Sequence, residues 1–91
     1  MITKHLNITV IGKVQGVYFR VSTKQKADEL GVKGFVRNQP NGSVYIEAES
    51  SNEVLQEFIE WCWQGPERAK VLQVETTSGA LQNFEAFEVR K

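Results

Sequence analysis

Residues 6–30, LNITVIGKVQGVYFRVSTKQKADEL, contain the pattern that decides the fold. Apolar and polar residues alternate at the start of this stretch, which predicts a half-buried strand over 6–13. A short loop, 14–17, leads into residues 19–30, whose apolar side chains recur on one helical face. Gly31 then supplies the left-handed residue that ends many helices. The first third of the chain is therefore predicted to form a strand, a loop and a helix.

Two strands joined by a turn are predicted next. A strand over 32–38 is followed by the turn signal Pro40-Asn41-Gly42, and the second strand covers 43–49. The residues of that strand predicted to face inward are Val44, Ile46 and Ala48. The residues predicted to face outward are Tyr45, Glu47 and Glu49.

A second helix is indicated by its cap and by its apolar stripe. Ser50 and Glu53 have the spacing of a capping box, with the serine as the cap. The stripe of a buried helix follows, at Val54, Leu55, Phe58, Ile59 and Cys62. Gly65-Pro66 is predicted to end the helix. Two last strands, 69–77 and 84–90, are predicted on either side of a polar loop, 78–83.

The predicted order β-α-β-β-α-β-β indicates an α+β fold. Its first six elements match the ferredoxin-like βαββαβ sandwich, in which two helices cover one face of a mainly antiparallel sheet. The seventh element is an additional C-terminal strand, and residues 1–91 are expected to form one domain. Because the first and second strands run the same way, the loop after the first should lie near Arg37 and Asn38. One intervening strand would leave a gap of about 10 Å between them.

The charge balance limits the classes of partner. The 91 residues include 11 basic and 11 acidic ones, and the resulting net charge of zero argues against a nucleic-acid or membrane-surface binder. The charges are unevenly placed, however. Residues 1–40 carry a net charge of +5, and residues 41–91 carry −5. The positive half is consistent either with a site for an anion or with a chance layout of solvated side chains.

The numbers of cysteine and histidine residues, and the lack of a long apolar run, exclude several other classes of protein. One cysteine, Cys62, excludes an intrachain disulfide and fits a reducing compartment. With His5 as the one histidine, the usual structural zinc patterns are excluded too. No run of about 18 apolar residues exists, and the N-terminus lacks the apolar centre of a signal peptide. We therefore expect a soluble cytoplasmic protein that stands as a monomer.

Gly16 and Arg20 together suggest a site for a small anion. A glycine in a strand-to-helix loop lets successive backbone N–H groups point at one spot, and the helix start adds more of them. Arg20 lies in the first helical turn, where a cation meets an unfavourable helix dipole. That placement makes sense where Arg20 binds an anion held by the same loop. The alternative is a solvent-facing arginine after an ordinary turn.

Asn38 is the second candidate site residue. On local grounds it is a turn residue before Gln39-Pro40, and its predicted closeness to the Gly16 loop is what makes it a candidate. A carboxamide has both a donor and an acceptor, so it can orient a water molecule without carrying charge.

Two stretches of the chain resemble signatures of the acylphosphatase family. Residues 12–20, GKVQGVYFR, are similar to the first signature, and residues 34–38, GFVRN, followed by 41–44, NGSV, are similar to the second. The Gly65-Pro66 stop and the closing segment FEAFEV also fit the family's layout, so the resemblance covers essentially the whole chain. Two departures are a phenylalanine, Phe35, where tryptophan is common, and the loss of a frequent acidic residue before Gly42.

The resemblance implies a hydrolase that uses no metal or other cofactor. Its reaction cleaves the carboxyl–phosphate anhydride of an acyl phosphate to a carboxylate and inorganic phosphate. The resemblance also implies that Arg20 binds the phosphate and that Asn38 orients the attacking water. It further implies that the phosphate is held by the loop residues Gln15, Gly16, Val17, Tyr18 and Phe19. Inorganic phosphate, as the product, is expected to inhibit competitively.

Two other functions remain open from the residues alone. An RNA-binding module of the RRM type shares the βαββαβ order, and residues 33–37 are weakly similar to its aromatic motif. That motif belongs on the third strand, however, and here it is predicted on the second. A non-catalytic anion-binding domain is the other alternative, and it would use Gly16 and Arg20 but not Asn38.

Three further features are interpreted as structural. Trp61 and Trp63 are predicted to pack at the edge of the core, and Cys62 is predicted to be a small buried apolar residue. The acidic residues Glu53, Glu57 and Glu60 follow helical spacing and are predicted to form a solvated face.

Overall fold

The computed structural model describes residues 2–91, and the predicted order of elements is confirmed. The strands and helices are β1 (Lys4–Lys13), α1 (Phe19–Leu30), β2 (Lys33–Asn38), β3 (Val44–Ser50), α2 (Asn52–Gln64), β4 (Lys70–Gly79) and β5 (Phe87–Arg90). The expectation of one domain over 1–91 includes Met1, which lies outside the described residues. Neither α1 nor α2 is long and apolar enough to cross a membrane.

The sheet has five strands in the order β4-β1-β3-β2-β5. β1 pairs antiparallel with β3 and β4, and β3 pairs antiparallel with β2. β1 and β2 therefore run in the same direction with β3 between them, as predicted. β5 adds to the far edge of β2 as a parallel strand. The ferredoxin-like α+β fold with an extra C-terminal strand is confirmed, and the carboxyl ends of β1, β2 and β5 meet at one edge of the sheet.

The core lies between the two helices and one face of the sheet. Alternate residues of the strands and the apolar stripes of the helices form one buried cluster, whose largest members include Ile8, Val10, Phe19, Val36, Ile46, Leu55 and Phe58. Cys62 is fully buried in it, as predicted, and burial raises the pKa of its thiol. The predicted left-handed cap at Gly31 is also confirmed.

The cap of α2 differs from the prediction. Ser50 is still part of β3, where it pairs with Lys4, so it is not free to cap the helix. The cap is Ser51, whose side chain accepts a hydrogen bond from the backbone N–H of Val54. Glu53 therefore stands one position too early in the helix for the predicted capping box. The acidic residue still lies in the first turn of α2, where it complements the helix dipole.

Glu49 is buried, whereas its position on β3 predicted an outward-facing, solvated side chain. The prediction is right about the face of the sheet, but the segment before β5 crosses that face. The carboxylate accepts hydrogen bonds from the backbone N–H groups of Gln82 at 2.6 Å and Phe84 at 3.1 Å. Glu49 thereby holds this segment on the sheet, and the predicted strand over 84–90 begins only at Phe87.

His5 is the buried partner of Glu49. Its Nδ1 lies 2.7 Å from a Glu49 carboxylate oxygen, and its Nε2 lies 3.3 Å from a Glu47 carboxylate oxygen. A carboxylate only accepts hydrogen bonds, so an imidazolium with both nitrogens protonated fits this position. The Phe84 ring stacks on the imidazole at 5.9 Å.

The two pKa values of the pair shift in opposite directions. Burial alone would lower the pKa of His5, but its hydrogen bonds to Glu49 and Asn7 and the nearby carboxylate charges raise the pKa above 6.5. Burial alone would raise the pKa of Glu49. The Gln82 N–H, the His5 side chain and the Phe84 N–H together lower that pKa below 4.5.

These directions predict how the free energy of unfolding depends on pH. The contribution of His5 is fully present below pH 6.5 and is lost as the pH rises through the raised pKa of the folded state. The contribution of Glu49 is present above pH 4.5 and is lost as the pH falls through its lowered pKa. Urea unfolding of wild type should therefore show a stability that declines as the pH rises above 6.5, through the raised pKa of His5.

At about pH 6, where Glu49 is ionised and His5 is protonated, the free energy of unfolding of His5→Gln should be up to about 3 kcal/mol below that of wild type, because Glu49 is left without its buried cation. The variant should also lose the decline above pH 6.5, since His5 is the one histidine. An identical decline in wild type and in His5→Gln would contradict this assignment.

Candidate active site

The loop between β1 and α1 is anchored in the core by alternate side chains. Val14, Val17 and Phe19 are all buried, with Val14 and Phe19 each 1 % exposed. Gly16 and Tyr18 between them are exposed. The loop is therefore fixed from below by apolar contacts, and its outer side faces solvent at the edge of the sheet.

The backbone of this loop is left-handed at two points. Gly16 has a φ of 72°, and Tyr18, at the cap position of α1, has a φ of 61°. A left-handed backbone is uncommon for a residue with a side chain, and such strain is often found at functional sites. The Gly16 conformation carries no such cost, and no atom within 4 Å would contact an added Cβ there. These two residues turn the chain sharply into α1.

The start of α1 leaves backbone donors free. The first bond within the helix runs from the N–H of Ser22 to the carbonyl of Tyr18, so the N–H groups from Tyr18 to Val21 have no partner in the helix. Within residues 2–91, the Tyr18 side chain makes no capping bond and the first turn contains no acidic residue. Unpaired N–H groups at a helix start form a favourable environment for an anion.

Phe19 packs against the end of α2, which keeps the start of α1 in place. Its ring lies 5.5 Å from the ring of Trp61. Gly65, the cap of α2, has a φ of 65°, and an added Cβ there would come within 2.8 Å of the Phe19 ring. Glycine is required at this position both for the backbone conformation and for the close approach. The predicted edge-of-core packing is confirmed for Trp61, while Trp63 is half exposed.

Arg20 is held at the site by the main chain of β5. Its Nη1 donates a hydrogen bond of 2.9 Å to the carbonyl oxygen of Arg90. That is its one side-chain hydrogen bond within the described part of the chain. A guanidinium group has five N–H donors, so most of them stay free for a ligand. The bond to the Arg90 carbonyl thus orients the Arg20 guanidinium without cancelling its positive charge.

Asn38 ends β2, as predicted, and its side chain lies on the same face of the sheet as Val36, toward the helices. Its Oδ1 is buried and accepts no hydrogen bond from any group within residues 2–91. Buried polar atoms are nearly always paired in proteins, so an unpaired one is informative. This oxygen is an acceptor suited to the O–H of a water molecule.

Gln15 connects the loop to the turn after β2. Its Nε2 donates to the carbonyl of Gln39 at 2.8 Å and to the carbonyl of Ser43 at 2.9 Å. These two carbonyls flank the turn at 40–42, which the sequence predicted. The Gln15 side chain therefore fixes the distance between the loop and the strand that carries Asn38.

One open pocket of about 680 Å³ brings the predicted residues together. Its lining includes Gly16, Tyr18, Phe19, Arg20 and Asn38, all of which the sequence predicted as site residues. Gln15 and Val17 do not line it with their side chains, because one binds the turn and the other is buried. The predicted closeness of the Gly16 loop to the end of β2 is confirmed.

Sequence reasoning missed the contribution of the second half of the chain to this pocket. Arg68, from the loop between α2 and β4, and Arg90 and Lys91, at the end of β5, also line it. The parallel pairing of β5 with β2 is what brings the last residues there. The acidic residues Glu53, Glu57 and Glu60 are exposed along α2, as predicted. No group of three or more potential metal-ligating side chains occurs within residues 2–91.

The fold and the pocket define a small ferredoxin-like α+β protein with a basic site at the carboxyl ends of three strands. The family model for acylphosphatase matches residues 6–89. The chain belongs to the acylphosphatase family, and the family predicted from the two signatures is confirmed.

Individual members of the family are similar to this chain in sequence and structure over nearly their whole length. An acylphosphatase of Marinobacter nauticus is 51 % identical over 82 residues, which are 89 % of each chain. The structure of an acylphosphatase from Coxiella burnetii has a TM-score of 0.93 at 36 % identity, covering 97 % of this chain and 93 % of that one. The crystal structure of the acylphosphatase from Bacillus subtilis has a TM-score of 0.94 at 32 % identity, covering 97 % and 99 %.

The Gln15 bridge gives a testable prediction about the geometry of the site. Gln15→Met keeps the length of the side chain and removes both hydrogen bonds, which should lower the free energy of unfolding by about 1–3 kcal/mol. The loop and Asn38 then lose their fixed separation. We expect kcat for an acyl phosphate to fall by up to about 100-fold, the effect of misplacing a site by about 1 Å.

The control is Gln25→Met, at an exposed position of α1. It should change neither the free energy of unfolding nor kcat. Unchanged kcat in a destabilised Gln15→Met protein would show that Gln15 supports the fold alone.

Proposed function

We propose that the pocket at Gly16, Arg20 and Asn38 is the active site at which this chain hydrolyses acyl phosphates. The observation that carries the proposal is the buried, unpaired Oδ1 of Asn38, which lines the same pocket as Arg20 and the free N–H groups of the α1 start. The reaction cleaves the carboxyl–phosphate anhydride and yields a carboxylate and inorganic phosphate. The whole chain, 1–91, acts as one domain in this proposal.

The phosphate is held by positive charge and by backbone donors. The N–H groups of the loop 15–19 and the Arg20 guanidinium bind the phosphoryl oxygens. The planar fork of an arginine suits phosphate, and its bond to the Arg90 carbonyl sets its direction before the substrate arrives. Phosphoryl transfer requires mainly positioning and charge stabilisation, and this arrangement supplies both.

Asn38 positions the nucleophile. Its Oδ1 accepts a hydrogen bond from one O–H of the attacking water, whose oxygen forms the new bond to phosphorus. The bond between phosphorus and the acyl oxygen breaks, and the electron pair leaves with the carboxylate. A phosphate oxygen of the substrate takes the proton of the water.

This site is suited to an acyl phosphate rather than to a phosphate ester. A carboxylate leaving group has a pKa of about 4, so no general acid has to protonate it. Within residues 2–91, the pocket lining contains no histidine, aspartate or glutamate side chain. His5, the one histidine, is near the start of β1 and is bound to Glu49. We propose that Arg20 and the backbone donors supply the positive charge without a metal ion.

The RNA-binding alternative is disfavoured by the environment of Phe35. Residues 33–37 lie on β2, as predicted, rather than on the third strand. Phe35 is 6 % exposed, with the Arg90 guanidinium 4.0 Å above its ring and Phe84 against its edge. Its ring therefore has no exposed face on which a base could stack.

Cellular location and assembly are proposed on separate grounds. We infer a cytoplasmic monomer, because the free Cys62 thiol is buried and the chain forms no disulfide. The one apolar core already includes both helices and the sheet.

The first experiment is hydrolysis of benzoyl phosphate with and without EDTA. We expect equal rates in the two conditions, together with competitive inhibition by inorganic phosphate. Loss of activity in EDTA would contradict the metal-independent mechanism, and the absence of hydrolysis in both would contradict the function.

Variants of the two site residues separate binding from chemistry. Asn38→Ala should lower kcat by about 10²–10³-fold while inorganic phosphate still inhibits. Arg20→Gln should lower kcat by a similar factor and also weaken inhibition by phosphate, because Arg20 contacts the phosphoryl oxygens. Arg37→Gln is the matched control for Arg20, since Arg37 is exposed on the other face of the sheet, near Tyr45.

Asn38→Ala should also be at least as stable as wild type. The variant removes a buried oxygen that has no partner in the described chain, and an unpaired buried polar atom is unfavourable. Urea unfolding measures this directly. An Asn38→Ala protein with wild-type kcat would contradict the assignment of Asn38 to the attacking water, and a strongly destabilised one would show that its role is structural.

A further inference from the structure

The pocket contains more positive charge than one phosphate group requires. Besides Arg20, Arg68 and Lys91 line it, and both residues are exposed. They come from separate parts of the chain, one from the loop after α2 and the other from the end of β5. Within residues 2–91, neither Arg68 nor Lys91 is in an ion pair with a carboxylate side chain.

Arg90, which precedes Lys91, differs from Arg68 and Lys91 because its charge is paired with a carboxylate. Its guanidinium is paired with Glu88 at 2.9 Å and lies over the Phe35 ring, on the sheet face opposite the helices. Successive residues of a strand point to opposite faces, so Val89 lies on the helix side, where the pocket is. Lys91 follows the last residue of β5 and is among the residues that line the pocket. The charge of Arg90 is thus neutralised away from the pocket, and the charges of Arg68 and Lys91 are not.

The pocket is also larger than a phosphate group. About 680 Å³ is within the range of about 300–1,000 Å³ that is usual for small-molecule sites. The lining beyond Gly16 and Asn38 includes exposed parts of Tyr18, Val21 and Val89. An acyl chain therefore finds apolar surface in the same pocket as Arg20 and Asn38, and Arg68 and Lys91 line that pocket too.

We propose that the acyl part of the preferred substrate carries a second anionic group, a carboxylate or a phosphate, which binds Arg68 with help from Lys91. This inference rests on the proposed function, because it assigns the phosphoryl end of the substrate to Arg20 and Asn38. Arg68 is the main residue, since its planar guanidinium binds either anion through two parallel hydrogen bonds. A neutral acyl group leaves these two cations without a partner.

The test compares two acyl phosphates of equal chain length. Butyryl phosphate ends in a methyl group, and succinyl phosphate ends in a carboxylate. Wild type should have a kcat/KM for succinyl phosphate about fivefold above that for butyryl phosphate, the effect of one solvent-exposed ion pair. The difference should lie mainly in KM, because the carboxylate binds equally in the ground state and the transition state.

Arg68→Gln should lower the succinyl-to-butyryl ratio of kcat/KM toward one, and Arg68→Lys should restore part of it. Lys91→Gln should lower the ratio by a smaller factor. Arg37→Gln is the control for loss of an arginine charge outside the pocket and should keep the wild-type ratio. Inhibition by inorganic phosphate should be as strong in Arg68→Gln as in wild type, because phosphate occupies the Arg20 end.

Two outcomes would overturn the inference while leaving the proposed function intact. One is equal kcat/KM for both substrates in wild type. The other is an equal loss for both substrates in Arg68→Gln with weaker phosphate inhibition, which would place Arg68 at the phosphoryl group. Failure of wild type to hydrolyse either substrate would instead contradict the proposed function itself.

Replacing succinyl phosphate with an acyl phosphate that carries a second phosphate group distinguishes the two anions. A larger preference for the diphosphorylated substrate, abolished in Arg68→Gln, assigns a phosphate to this subsite. A preference confined to the dicarboxylic substrate assigns a carboxylate.

Discussion

The anchoring of the loop between β1 and α1 is the constraint on which the rest of the structure depends. Val14, Val17 and Phe19 bury their side chains in the core, and Gly16 and Tyr18 between them form the outer surface of the loop. An anion site built from backbone N–H groups is effective only where the groups are already aimed before the ligand arrives. In the proposed site, the buried side chains of the loop hold its backbone in place, so the same apolar contacts that form the core also fix the directions of these N–H groups.

The pocket and the buried ion pair lie on opposite faces of the sheet. Asn38 and the pocket lie on the helix side, at the carboxyl ends of β1 and β2. The buried pair of His5 and Glu49 lies on the opposite face, near the start of β1, and holds the segment before β5. Because that segment leads into β5, the pair also helps to place the strand whose last residues reach the pocket. The His5–Glu49 pair thus helps to position residues of the pocket, although neither of its side chains lines the pocket.

The uneven charge along the sequence takes on a different meaning in three dimensions. The net charge of +5 over residues 1–40 includes Arg20, but Lys24 and Lys26 form ion pairs along α1 with Asp28 and Glu29. Two further cations of the pocket, Arg68 and Lys91, come from residues 41–91, the half of the chain with a net negative charge. The fold brings them to the same pocket as Arg20. A net charge of zero is therefore compatible with a strongly basic pocket, since what matters is which cations the fold leaves unpaired.

The sequence by itself determined the order of the elements, because periodicity and turn signals are local properties of the chain. That order in turn determined that β1 and β2 run the same way, and therefore that the loop with Arg20 lies near Asn38. The sequence did not determine the burial of Glu49, the cap at Ser51 or the presence of Arg68 and Lys91 at the pocket. Glu49 occupies an outward position on its strand, and only the segment that crosses the sheet covers it. Ser50 and Ser51 are equivalent as caps until the pairing of β3 with β1 takes the first of them. The two cations reach the pocket through the end of α2 and the parallel pairing of β5, and contacts so distant along the chain leave no signature in local spacing.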